Sequence, residues 1–106
     1  MQLDRVFEAL ASSPRRQILA FLSAAELTTS ELSERFAMST PAISRHLSIL
    51  ENAGLVTSER RGQYVIYRLN QDSLVNSLTG FAFEICPKGR PLKRESRAIG
   101  KRKKAV

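Results

Sequence analysis

The sequence predicts a mainly α-helical domain of the α+β class: four short helices, a β-hairpin and a fifth helix, in that order. Three observations carry the expectation. Apolar residues recur at three- and four-residue spacing in successive stretches, helix-start signals precede several of them, and one stretch beyond residue 60 switches to strict alternation after a glycine. With 106 residues the chain has the size of one compact domain, and no internal repeat divides it.

Leu3, Val6, Phe7 and Leu10 fall at i, i+3, i+4 and i+7, one face of a first helix that should stop near Ser12 and Ser13. Ser13 is expected to cap a second helix, with Pro14 at the first helical position, where its missing N–H costs nothing. Ile18, Leu19 and Leu22 form its stripe, and it should run to about Ala25. The third helix has a complete start signal: Thr28 as N-cap, Glu31 three residues on to close a capping box, and Leu27 with Leu32 as a hydrophobic staple. It should end near Phe36. Ala37, Met38 and Ser39 then form the short link expected inside a helix-turn-helix, before a new start at Ser39 or Thr40 with Pro41 in the first turn.

The fourth helix carries Ile43, Leu47 and Leu50 on one face and Pro41, Ser44, Arg45 and Ser48 on the other. Gly54 follows its C-cap, where positive φ is required, and Leu55 is spaced to fold back on Leu50 in a Schellman ending. Val56 to Glu59, a turn through Arg60, Arg61, Gly62 and Gln63, and Tyr64 to Leu69 read as a hairpin that must lean on the helical body. Asn70 can cap a last helix bearing Leu74, Val75, Leu78, Phe81, Ala82 and Ile85, weakened by Gly80 and stopped by Pro87.

Composition narrows the classes of function. No apolar run approaches the roughly 20 residues that span a bilayer, and Asp4 and Glu8 break any secretory-signal pattern. A cytoplasmic protein without a membrane partner is expected. Cys86 is the only cysteine, which excludes an internal disulfide or a cysteine-rich metal site. It reads as a reduced, partly buried residue or, alternatively, as a redox switch or intersubunit disulfide. From Pro87 onward nine basic residues stand against one acid, a net +8; before it, eight arginines stand against nine acids, a net −1. The expected division is therefore a folded domain over residues 1–86 and a flexible basic tail over 87–106.

Helix, helix, helix, short turn, helix, hairpin, helix is the order of a winged helix-turn-helix. The stretch Ser39-Thr40-Pro41-Ala42-Ile43-Ser44-Arg45-His46-Leu47-Ser48-Ile49-Leu50-Glu51-Asn52-Ala53-Gly54-Leu55-Val56, followed by Arg60 to Leu69, resembles the arsenic-repressor (ArsR/SmtB) family. The segment Ala9 to Leu19 resembles that family's opening, and the similarity runs from Leu3 to Ile85. The resemblance implies a DNA-binding, dimeric transcriptional repressor without a cofactor. It also implies a dimer interface on the first and last helices, for which Leu3, Val6, Phe7, Leu10, Leu74, Leu78, Phe81 and Ile85 supply the surface. Metal-sensing members carry cysteines in the third helix or acidic and histidine ligands on the last. Here the third-helix region reads Glu26-Leu27-Thr28-Thr29-Ser30-Glu31-Leu32, and the last helix has Asp72 and Glu84 but no histidine. No metal site is therefore expected.

The residues bear the DNA-binding reading on their own terms. A recognition helix buries one face and presents to the major groove another that is not bulky near its N-terminus. Ser39, Thr40, Pro41, Ala42, Ser44 and Ser48 are small enough for close approach to operator DNA. Arg45 can reach a guanine edge with two donors or pair with a phosphate. His46, at the edge of the apolar stripe, suits either a DNA contact or helix packing. Arg60, Arg61 and, more weakly, Gln63 suit a wing on the DNA backbone or in the minor groove, or are ordinary turn residues. The tail adds sequence-independent attraction for phosphates, or serves solubility or an acidic partner. With no nucleophile-base pair, paired carboxylates or phosphate-binding glycine loop, an enzyme is not expected. The rival readings are a winged-helix module that binds protein and a nonspecific, chromatin-like DNA binder. No effector can be named from the residues.

Overall fold

The computed structural model describes residues 2–85. The elements are α1 (Gln2–Leu10), α2 (Ser13–Ala24), β1 (Leu27–Thr28), α3 (Thr29–Phe36), α4 (Thr40–Asn52), β2 (Val56–Arg61), β3 (Tyr64–Leu69) and a fifth helix, α5, over residues 71–85. This is the winged helix-turn-helix order expected from the sequence. Cys86 and the tail from Pro87 lie outside the described residues.

Local signals set most of the boundaries. Thr28 caps α3 as a complete capping box: its hydroxyl accepts from Glu31 N at 3.2 Å, and Glu31 Oε1 accepts from Thr28 N at 3.0 Å. The Thr28 backbone N–H, and after it the Thr28 hydroxyl, hydrogen-bond the Glu31 carboxyl and hold it below its ordinary pKa. Thr28→Ala is expected to lower stability by about 1 kcal/mol, read as the shift of the urea midpoint; an unchanged midpoint would show that the cap contributes nothing. At the far end of α4, Gly54 adopts φ 78°, Leu55 N donates to Leu50 O at 3.0 Å and Gly54 N to Glu51 O at 2.9 Å. These are the two bonds of a Schellman ending.

Two boundaries differ from the sequence reading. The cap of α2 is Ser12 rather than Ser13: Ser12 is extended (φ −107°, ψ 127°) and accepts from Arg15 N, while Ser13 is already helical. Arg60 and Arg61 are not turn residues but close β2, paired with Val65 and Tyr64. The turn is only Gly62-Gln63, with φ 61° at Gly62, so the hairpin is tighter and its arginines stand on the strand. The strand β1 was not anticipated. It pairs antiparallel with β3 (Leu27 with Tyr67, Thr28 with Ile66) and makes a three-stranded sheet in the order β1-β3-β2. The wing is thus tied to the segment that starts α3.

Residues up to Val75 form one compact unit. Its core joins Val6 and Ala9 of α1, Ile18, Leu19 and Leu22 of α2, Leu27, Leu32 of α3, Ile43, Leu47 and Leu50 of α4, and Ala53, Leu55 and Val56. Tyr67, Leu69, Met38, Phe36, Phe21, Leu10 and Leu74 pack against it. Phe21 and Phe36 meet edge to face at 5.3 Å, with Arg35 5.1 Å above Phe21. Asn70 fastens the corner between α4 and β2, its N donating to Leu55 O at 2.8 Å and its Nδ2 to Gly54 O at 3.1 Å. Residues from Asn76 belong to a second unit. Its helical part exposes Leu78, Phe83 and Ile85, and Leu78, Thr79, Ala82 and Phe83 bound a shallow apolar hollow of about 420 Å³. Among the described residues no helix is long and apolar enough to cross a membrane.

Candidate nucleic-acid interface

The entry to α4 is fixed by the turn before it. Ala37 takes the left-handed conformation (φ 51°) as the C-cap of α3, and Ser33 Oγ donates to Met38 O at 2.6 Å, while the Met38 side chain packs on the core. Ser39 then caps α4 by accepting from Ala42 N at 3.3 Å, and Pro41 occupies its first turn. The buried stripe Ile43, Leu47 and Leu50 orients the helix, so that Ser39, Thr40, Pro41, Arg45 and Ser48 are exposed and Ala42, Ser44 and His46 are half-buried on its flanks. From Ser39 to Ser48 the exposed surface is small and polar apart from Arg45, with Ile49 exposed beyond it, and the positive end of the helix dipole lies at its start.

The wing presents Arg60, Arg61, Gln63 and Tyr64, all exposed. The arginines are not equivalent, because successive strand residues face opposite ways. Arg61 donates to Glu59 Oε2 at 3.2 Å. Glu59 in turn accepts from Arg68 at 2.6 Å, and Arg68 reaches Glu26 Oε1 at 2.6 Å. The Arg61 hydrogen bond, its charge and the Arg68 charge hold the Glu59 carboxyl below its usual pKa. This chain of charges crosses the sheet from the residue before β1 to β2, and the sequence reading missed it because its members are up to 42 residues apart. Behind it Ser58 Oγ donates to Glu51 Oε2, joining the wing to the end of α4.

Arg15 was also missed. It donates from Nε to Ala9 O at 2.8 Å and from Nη2 to Glu8 O at 3.0 Å, and its Nη1 lies 3.4 Å from His46 Nδ1. Arg16 donates to Leu10 O at 2.6 Å. The two consecutive arginines after Pro14's helix start thus close the carbonyl end of α1. His46 therefore makes a packing contact, and burial, with Arg15 beside it, pushes its imidazole below the ordinary 6.5.

Of the residues expected at a dimer face, Val6 is fully buried in the protomer's own core, because α1 turns Val6 and Ala9 inward. Leu10 and Leu74 are partly used in the same core. Leu3 is half-buried and Phe7 exposed on the flank beside that inward stripe, and Phe81 is half-buried on α5. Among the described residues no three His, Cys, Asp or Glu side chains stand together in a way that could hold a metal ion.

This architecture has close counterparts. Residues 12–58, which run from the cap of α2 into the first half of β2, match the family described as "Bacterial regulatory protein, arsR family". The transcriptional repressor SdpR of Bacillus subtilis (strain 168) is 37% identical over 76 residues, covering 72% of this chain and 84% of that protein. Among solved structures, an ArsR-like transcriptional regulator from Rhodococcus sp. RHA1 superposes with a TM-score of 0.75 at 31% identity, covering 99% of this chain and 93% of that one. The homodimeric winged helix-turn-helix DNA-binding domain from Mycobacterium bovis superposes with a TM-score of 0.66 at 26% identity, covering 84% and 81%. The relatives are transcriptional regulators and not enzymes. The chain belongs to the arsR family of bacterial regulatory proteins, DNA-binding transcriptional regulators built on the winged helix-turn-helix.

Proposed function

We propose that this chain is a repressor that binds a palindromic operator as a homodimer, without a metal signal. The carrying observation is the exposed first part of α4, from Ser39 to Ser48, small and polar around Arg45, which pairs with none of the described residues, set beside a wing that projects two more arginines. A protein-binding module would need an apolar recognition face, whereas the large apolar side chain that α4 exposes is the single Ile49 near its far end. Ser39, Thr40, Pro41, Ala42, Ser44, Arg45 and Ser48 form the reading surface, and His46 packs behind it against Arg15. Arg60, Arg61 and Gln63 hold the backbone. The dimer uses Leu3 and Phe7 of α1 and Leu78, Phe81 and Ile85 of α5; support comes from the homodimeric relative and from the apolar exposure of these helices. Twofold symmetry would set two recognition helices about one DNA turn apart. The hydroxyl residues Thr28, Thr29 and Ser30 stand where metal-sensing relatives place thiolates, which supports a regulator that answers to something other than metal.

In this reading the tail over 87–106 forms a separate basic segment that adds affinity without selectivity. Removing it is expected to weaken binding to all DNA and to flatten the salt dependence, by about 0.9 in the logarithmic slope for each phosphate the tail had neutralised, while the preference for the promoter of its own gene over random DNA survives. Binding measured at several salt concentrations checks this. A truncated protein with no such preference would sink the operator reading and leave a nonspecific DNA binder.

A further inference from the structure

Arg15 breaks a local rule. It is the third residue of α2, where the helix dipole disfavours a cation, yet its guanidinium does not stay there. It crosses to the C-terminus of α1, where the dipole favours it, and donates to Ala9 O and to Glu8 O, the latter shared with Ala11 N. Its remaining edge meets His46, 31 residues away on α4. One planar group thus ties its own helix, α2, to two others, and the helix at its far side is the one that carries Arg45 and Ser48.

The chemistry of the third contact is selective. A guanidinium has donors only, so His46 Nδ1 can accept from it only when unprotonated. The contact therefore requires a neutral imidazole with its proton on Nε2. We infer that Arg15 is a positioning residue for DNA recognition, holding α4 in register against α1 and α2 through His46, and that the hold is released when His46 takes up a proton. The inference rests on the operator-binding reading given above.

Protonation has two effects with the same sign. It removes the acceptor, and it sets a second cation beside Arg15. Among the described residues the charge that faces the ring is Arg15 of α2; Arg5 and Glu8 of α1 line a separate cleft of about 480 Å³ with Ile49, Asn52 and Ala53 at the α4 end. Burial, and after it the Arg15 charge, lowers the imidazole pKa. Because the folded value lies below 6.5, the hold is complete above pH 6.5 and is lost as the pH falls through the folded value.

His46 is the only histidine in the chain, so its imidazole nitrogens can be followed by NMR without assignment ambiguity. Full-length protein is expected to show the Nε2–H tautomer and a titration below 6.5, and Arg15→Gln to lose the tautomer preference and titrate nearer to 6.5. The second readout is the ratio of affinities for the promoter fragment and random DNA, which cancels the tail's general attraction. In wild type this ratio should fall as His46 protonates. Arg15→Gln should lower it by about tenfold at neutral pH, in keeping with removal of one charge-assisted hydrogen bond. His46→Asn retains an acceptor at the Nδ1 position and cannot titrate, so it should keep the ratio and flatten its pH profile. If Arg15→Gln does not fold, His46→Leu, which spares the α1 caps, should show the same fall in ratio. A wild-type ratio that stays flat while the NMR shows His46 titrating overturns the inference, and so does an Arg15→Gln or His46→Leu protein with the wild-type ratio. A wild-type protein with no promoter preference at neutral pH fails the operator reading instead, and the tautomer measurement still decides whether Arg15 holds the ring.

Discussion

Leu47→Ala is expected to lower the stability of the domain by about 2–5 kcal/mol. Leu47 is fully buried on the inner face of α4 between Ile43 and Leu50, in a core that also takes in α1, α2 and α3. Truncation removes its transfer free energy and leaves a cavity that the surrounding elements cannot close together. A domain of this size holds about 5–10 kcal/mol in all, so the substitution should bring the unfolding transition close to ambient conditions. Leu47→Met, which conserves volume, should cost less than about 1.5 kcal/mol. Urea titrations followed by circular dichroism separate the two. A Leu47→Ala shift as small as that of Leu47→Met would mean that α4 is not anchored through this stripe, and the orientation of its DNA-facing side would lose its explanation.

What could be read from the sequence follows from how local each cause is. The capping box of Thr28 and Glu31 and the glycine ending at Gly54 are satisfied within a few residues, so residue type at fixed spacing was enough to place α3 and the end of α4. Ser12 and Ser13 are chemically equal candidates for one cap, and only the backbone conformation at Ser12 separates them. The hairpin carried a usable signal that charge obscured: a glycine with positive φ followed by Gln63 without it is the pattern of a two-residue turn, and Arg60 and Arg61 then belong to the strand. β1 has two residues and no period, and it exists only because β3 lies beside it. The Arg15 and Arg68 contacts join segments that are 31 and 42 residues apart, and no pattern within one element announces them.

The site residues follow the same division, and this leads to an ordering among the arginines that the sequence could not supply. Arg45 and Arg60 are exposed and make no ion pair or hydrogen bond with any described residue, whereas Arg61 is held by Glu59 and Arg68 by both Glu59 and Glu26. An arginine already paired must give up that partner to meet DNA, and its net gain is smaller by the strength of that pairing. Exposed pairs are worth only about 0–1 kcal/mol each, so the effect is a ranking, not a block. Arg45→Ala is expected to weaken binding to the operator by about 1–3 kcal/mol while changing random-DNA binding much less, because Arg45 projects from the exposed face of α4 where base edges are read. Arg60→Ala should weaken both DNAs alike and reduce the salt slope by about 1, the signature of a phosphate contact. Arg61→Ala should fall below Arg60→Ala in both measures. Competition titrations of the three variants on operator and random duplexes test the order. Equal losses for Arg45→Ala on both duplexes would move Arg45 from base reading to the backbone, and an Arg61→Ala loss larger than that of Arg60→Ala would show that the Glu59 pair does not hold Arg61 back from DNA.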